Sequence, residues 1–189
     1  MIAVEGNKPP PQKHSLRRNV GRLRDNVWGE RHGRDAYTKL ERGRLAEADQ
    51  NVDHVIEVQI VEHAALGSLL ENTELTNRVR DALNSAANLN VTSRKINQAK
   101  RGPFTAAINR LRKRDGTLRE ISVEQLARSG KAKWLVDNGS WENIRGEIVA
   151  SYDRMEATLG QHRLTRAQTK TLENVVEELH ETLDKIKIF

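Results

Sequence analysis

Apolar residues recur along most of this chain at three- and four-residue intervals, the spacing of one face of a helix. Leu16, Val20, Leu23 and Val27 predict a helix over 15–30, with Ser15 as N-cap and Trp28-Gly29 at its end. A second short helix is expected from Asp35 to Leu45, broken by Gly43. Val52 to Val61 is β-branched and short, so strand and helix both fit it. Val58, Val61, Ala65, Leu66 and Leu69 return to helical spacing over 57–71. Thr73 then caps a helix over 73–87 with Leu75, Val79 and Leu83 inside. Residues 88–93, Asn88-Leu89-Asn90-Val91-Thr92-Ser93, read as a short strand or turn. Helical spacing resumes at Ser93 with Ile96 and Ala99, and Gly102-Pro103 predicts a break. A basic helix over 104–114 follows, with Phe104, Ala107, Ile108 and Leu111 on one face and a turn at Asp115-Gly116. Short elements at 123–127 and 134–136 lead to two long helices, 141–158 and 164–187, on either side of Gly160. No internal repeat is visible. The pattern predicts a mainly α fold with a small β element.

Residues 1–14 hold Pro9, Pro10 and Pro11 and little apolar content, so they read as a flexible, Pro-rich leader. Residues 15–160 then form a helical domain. The segment 161–189 is a C-terminal helix that packs on this domain or dimerises. Its Leu172, Val176, Leu179, Leu183 and Ile186 make a two-heptad seam, opposite Glu173, Glu177, Glu178 and Glu181.

With 189 residues, the chain suits one domain with an appendage. It has no cysteine, which excludes disulfide frameworks, thiolate nucleophiles and Cys-ligated zinc. No apolar run reaches the length of a membrane span, and Met1 to Pro11 lacks a signal-type hydrophobic stretch. A soluble, intracellular protein is expected, with nucleus or nucleoid as plausible sites and a translocated effector or toxin domain as a further possibility.

The net charge of +6 is unevenly spread. Residues 13–44 carry ten basic and four acidic residues, 45–87 two and eight, and 94–119 nine and one. An acidic block between two basic blocks suits carboxylates flanked by phosphate-binding walls; solvated helix faces of varying charge would look the same.

The candidate chemistry begins at Asp53-His54 in the string Val52-Asp53-His54-Val55-Ile56-Glu57. A histidine titrates near neutral pH and can act as a general base; a carboxylate beside it can hold Mg²⁺ through oxygen. Downstream stand Asn88-Leu89, then Asn97 nine positions after Asn88, then Lys100, Arg101 and Gly102. This order and spacing resemble the HNH branch of the His-Me finger (ββα-metal) nucleases, over about residues 52–102. The resemblance implies a ββα-metal core embedded in the helical domain. It gives His54 the role of water-activating base and Asn88 that of orienting its ring. Asp53 and Asn97 become ligands of a divalent metal, Mg²⁺ first and Mn²⁺ as an alternative. Glu57 and Asn90 are possible supports, Asn90 as a rival to Asn88. The chain departs from many such domains in lacking the two Cys pairs that bind a structural zinc. It also has a 33-residue spacer, 55–87, between His54 and Asn88.

Basic residues supply a second expectation. Arg17, Arg18, Arg22 and Arg24 crowd the first helix, and Lys95, Lys100, Arg101, Arg110, Arg112, Lys113 and Arg114 lie on or beyond the motif helix. Such clusters neutralise phosphates without reading bases. The sequence therefore predicts a metal-dependent endonuclease that hydrolyses DNA, with RNA as the lesser alternative, with little sequence specificity and of toxin or effector type. No membrane partner is expected, and a homodimer could form through the C-terminal helix. The alternatives are a non-catalytic nucleic-acid-binding module and a helical protein-interaction domain. His63 is a further candidate ligand, His32 sits in a Gly-rich turn that could touch phosphate, and Trp28, Trp134 and Trp141 read as core anchors.

Overall fold

A computed structural model of the protein describes residues 16–69, 72–112, 121–161 and 163–189, except the side chain of residue 66. The Pro-rich leader, the Ser15 cap, Lys113, Arg114 and the turn at Asp115-Gly116 lie outside the described residues.

The fold is mainly helical with one two-stranded antiparallel sheet. A 3-10 turn, Gly21–Leu23, leads into α1, Arg24–Glu30. β1, Gln50–His54, precedes α2, Val58–Leu69, and α3, Thr73–Leu83. β2, Leu89–Ser93, runs directly into α4, Arg94–Arg112. Then come α5, Val123–Arg128; α6, Lys133–Asp137; α7, Ser140–Gly160; and α8, Arg166–Lys185.

The first helix is shorter than the periodicity suggests, because Leu16 is pulled away into the main core. Its backbone N–H donates to Glu62 Oε1 at 2.9 Å. The expected helix from Asp35 to Leu45 does not form. Asp35 bends the chain by accepting from its neighbours, Tyr37 N–H at 3.0 Å and Thr38 Oγ1 at 2.7 Å. An Asp that bonds the backbone two residues on competes with the helix. The ambiguous stretch 52–61 divides into strand to His54 and helix from Val58. Asn72, one residue before Thr73, caps α3 by accepting from Leu75 N–H at 3.1 Å.

Gly102-Pro103 does not break α4. A proline inside a helix costs about 3 kcal/mol through its missing N–H and its clash with the preceding turn. Here Pro103, Phe104, Ala107 and Ile108 are all buried, and Phe104 stacks on Trp141 at 6.0 Å. Burial of each large side chain is worth about 1.5–3 kcal/mol, enough to offset the proline.

The main core joins α2, α3, α4, α7 and α8. Leu172, Leu179 and Leu183 of the C-terminal seam belong to it, with Val175 beside them, and α8 lies chiefly along α2. Four of the five seam residues are thus buried within the chain, and Val176 is half-buried. Ile121 and Val123 N–H groups donate to Lys185 and Ile186 carbonyls, tying the C-terminus to α5. Thr165 begins α8 with a reciprocal capping box, its hydroxyl accepting from Gln168 N–H at 3.2 Å. Thr165→Ala is expected to cost about 1 kcal/mol. Thermal unfolding should register that as a fall of roughly 2–4 °C in Tm.

A smaller core lies on one face of the sheet. Val20, Val27 and Trp28 pack there on Leu89 and Val91, with Val52 alongside. Since side chains alternate along a strand, the other face carries Asn51, Asp53, Asn90 and Thr92. That polar face is buried at Asp53, Asn90 and Thr92 and looks toward Asp35, Tyr37 and Lys100.

Candidate active site

β2 runs directly into α4, but β1 is separated from β2 by two helices, so the element order is strand, helix, helix, strand, helix. Paired residues across the strands are Asp53 with Asn90 and His54 with Leu89. The long spacer is taken up by α2 and α3, which carry the chain away and back.

His54 ends β1 and is 4% exposed. It lies beside an open cleft of about 330 Å³ lined by Arg17, Arg18, Arg24, Asn19, Gln50 and His54 among others. Its Nε2 is 2.9 Å from Asn84 Oδ1. The orientation of the Asn84 amide is fixed independently. Its Nδ2 donates to Leu16 O at 2.9 Å and to Arg80 O at 2.6 Å, and its Oδ1 accepts from Arg18 N–H at 3.1 Å. An oxygen facing Nε2 requires an Nε2–H, which leaves Nδ1 as the basic nitrogen of the ring. Burial lowers the His54 pKa below 6.5; the Asn84 bond opposes this, and the Arg17 charge adds to it. The ring is therefore neutral at pH 7. Heteronuclear NMR of ring nitrogens should find an unprotonated Nδ1 and a protonated Nε2 at that pH. A ring protonated at Nδ1 would contradict the assignment.

Asn84, and not Asn88, hydrogen-bonds the His54 ring. Asn88 is fully buried and binds backbone instead. Its Oδ1 accepts from Ile56 N–H at 2.7 Å, and its Nδ2 donates to Ile56 O and Leu83 O, each at 3.1 Å. With Val55 N–H donating to Asn88 O at 2.8 Å, this residue clamps the chain as it leaves His54. Asn90 does not reach His54 either. It donates to Asp35 Oδ1 at 2.8 Å and accepts from Ala36 N–H at 3.0 Å. Asp35, which the sequence did not single out for chemistry, accepts two bonds on each carboxylate oxygen and so braces the hairpin.

The assigned metal ligands are otherwise engaged. Asp53 points to the sheet face opposite His54, where its Oδ2 accepts from Tyr37 Oη at 2.7 Å and meets Lys100 Nζ at 2.8 Å. Asn97 donates from Nδ2 to Asn51 Oδ1 at 3.0 Å. Among the described residues, no three His, Cys, Asp or Glu side chains converge as a metal would require. The donor set does not fit a divalent ion held by Asp53 and Asn97, because a lysine ammonium already sits on the carboxylate.

Lys100, expected to bind phosphate, is 0% exposed. Glu57, expected near His54 or the metal, is buried 3.1 Å from Lys100 Nζ. Burial would lower the Lys100 pKa, but the Asp53 and Glu57 charges outweigh it and raise the value above normal. Burial pushes Asp53 up to about 6, against the pull of Lys100. The phenol of Tyr37 is held well above its usual value, by burial first and then by Asp53.

The remaining basic residues fall into two sets. Arg17, Arg18 and Arg24 line the cleft, and Arg22 is exposed beside them. Arg18 pairs with Asp81 at 2.6 Å and Arg24 with Glu47 at 2.8 Å, both with exposed carboxylates. Exposed pairs contribute about 0–1 kcal/mol, so a phosphate can displace them. Lys95, Arg101, Arg110 and Arg112 are exposed on α4, with Lys95 Nζ 4.7 Å from the centre of the Trp134 ring. His63 is partly buried, its pKa lowered by burial and then by the charges of Arg112 and Lys185. His32 is exposed, in a left-handed turn with Gly33 that closes α1. A larger groove of about 520 Å³ between α7 and α8 is rimmed by Glu156, Glu173 and Glu177, the wrong charge for phosphate. No helix among the described residues is long and apolar enough to cross a membrane. Comparisons with protein-family models, with curated proteins and with solved structures found no match.

Proposed function

We propose that the protein is a nuclease that cleaves nucleic-acid phosphodiester bonds at the His54 cleft with little sequence choice. The observation that carries this reading is the meeting of a neutral histidine of fixed tautomer with three arginines around one open cleft. Asn84 contributes twice, since the same amide oxygen holds His54 Nε2 and the backbone of Arg18. It is a positioning residue that registers the basic segment against the ring.

Hydrolysis at such a site needs a nucleophile stripped of its proton and neutralisation of the charge on phosphorus oxygens. A water gives its proton to His54 Nδ1 as its oxygen bonds phosphorus, and the departing ester oxygen takes a proton from solvent. Arg17, Arg18 and Arg24 neutralise the phosphate. No step is assigned to Asp53, which lies across the sheet against Lys100. Because burial lowers the His54 pKa, the acid limb of the rate profile should have its midpoint below the usual histidine value.

The test incubates end-labelled DNA and RNA strands with the protein, in magnesium and in chelator, and measures binding alongside cleavage. The double variant Arg18→Glu, Arg24→Glu is expected to bind more weakly for every sequence. Its salt dependence should be shallower by about one unit for each phosphate it no longer neutralises. Strands that are bound but intact in every condition would make the protein a binding module and overturn the nuclease reading.

A further inference from the structure

Four oxygens surround Lys100 Nζ. They are His54 O at 2.6 Å, Asp53 Oδ2 at 2.8 Å, and Val55 O and Glu57 Oε1 at 3.1 Å each. The Tyr37 and Phe104 rings close the sides, 5.6 and 5.8 Å from the nitrogen. An ammonium has three protons and cannot serve four acceptors. Glu57 Oε1 is the loser: it is buried, faces the charge, and receives no hydrogen bond. Two carboxylates and two carbonyls around one positive centre form a ligand set for a hard cation, and the ammonium leaves one of their two negative charges uncancelled.

We propose that Lys100 is the built-in cation of the hairpin–helix element, filling an oxygen cage that accepts a divalent ion only when the ammonium is removed. The inference is independent of whether the His54 cleft cleaves nucleic acid. Calcium–oxygen distances are about 2.3–2.6 Å, so the cage must draw in by a few tenths of an ångström around such an ion. The carboxylates can do this by small rotations. The carbonyls of His54 and Val55 are held close by the Asn88 clamp.

Manganese titration followed by electron paramagnetic resonance tests the proposal on the full chain. The wild type should take up no stoichiometric Mn²⁺. Lys100→Ala should bind one ion per chain at least about ten-fold more tightly than the wild type, and gain thermal stability with Mn²⁺ concentration. Adding Asp53→Asn to that variant should abolish the site. Stoichiometric binding by the wild type that Asp53→Asn removes would overturn the proposal, as would a folded Lys100→Ala that binds nothing. If Lys100→Ala stays unfolded at every Mn²⁺ concentration, the wild type decides through its Lys100 ammonium resonance. A slowly exchanging signal that Mn²⁺ leaves sharp supports the cage, and a broadened or absent signal rejects it.

Discussion

Lys100→Met is expected to destabilise the protein by about 3–5 kcal/mol, the cost of removing one partner from a buried ion pair. Methionine fills similar volume, so the loss is not a cavity effect. It comes from Asp53 and Glu57, both buried and both left without a counter-charge. For a chain of this length the shift in Tm is about 6–20 °C. The expectation has an internal control. In the triple variant Lys100→Met, Asp53→Asn, Glu57→Gln the stranded charges are gone, and most of the stability should return. Equal stability of wild type and Lys100→Met would mean that the cluster is not ionised as described.

The pH dependence of this cluster and of His54 have definite signs. Lys100 has a raised folded-state pKa, so its contribution is fully present below the unfolded value near 10.5 and is lost as pH rises through the folded value. Asp53 has a folded pKa of about 6 against an unfolded 3.8. Its burial therefore costs stability progressively as pH rises between those values. His54 has a depressed pKa, so its contribution is present above 6.5 and fades as pH falls through the folded value.

His54→Ala is the second large expectation. Removal of a general base lowers rate by about 10²–10⁴-fold. Binding should change little, because the arginines proposed to meet phosphate still line the cleft. The ring makes a side-chain bond to Asn84, but Asn84 keeps its bonds to Leu16, Arg80 and Arg18 when the ring is removed. The cleft should therefore keep its shape, and the effect should appear in the chemical step. Asn84→Ala should lower the rate less, since the base remains, but it should also weaken binding, because the backbone of Leu16 and Arg18 is released with the ring.

Much of the fold was legible from periodicity. The core positions of α2, α3 and α8 stand out because a 3.6-residue repeat survives without knowledge of partners. The hairpin was only half legible: Val52 to Val61 is one β-branched run, and nothing local says that strand yields to helix after His54. The clamp of Asn88 on Ile56 makes that division, across 32 positions. Pro103 misled for a similar reason, since its cost is local and the stacking of Phe104 on Trp141 is not. Around His54, the residue types singled out in the sequence make other pairings than the motif gives them. Asn84 holds His54 from the end of α3, a contact set by helix packing and not by spacing from the motif. Asp53 and His54 are adjacent in sequence, yet strand alternation sends them to opposite faces. A strand reading of 50–54 would have separated them. The burial of Lys100 had a sequence signal too. It falls one turn after Ile96 and one turn before Phe104, on the inward stripe of α4.

We propose that His54 performs chemistry in the arginine-lined cleft. The most direct test is the single-turnover cleavage rate of a labelled strand, measured at pH 7 for wild type and His54→Ala at matched saturation. The wild type should cleave, and the variant should bind equally while cleaving about 10²–10⁴-fold more slowly. Equal rates, or no cleavage by the wild type, would contradict the claim.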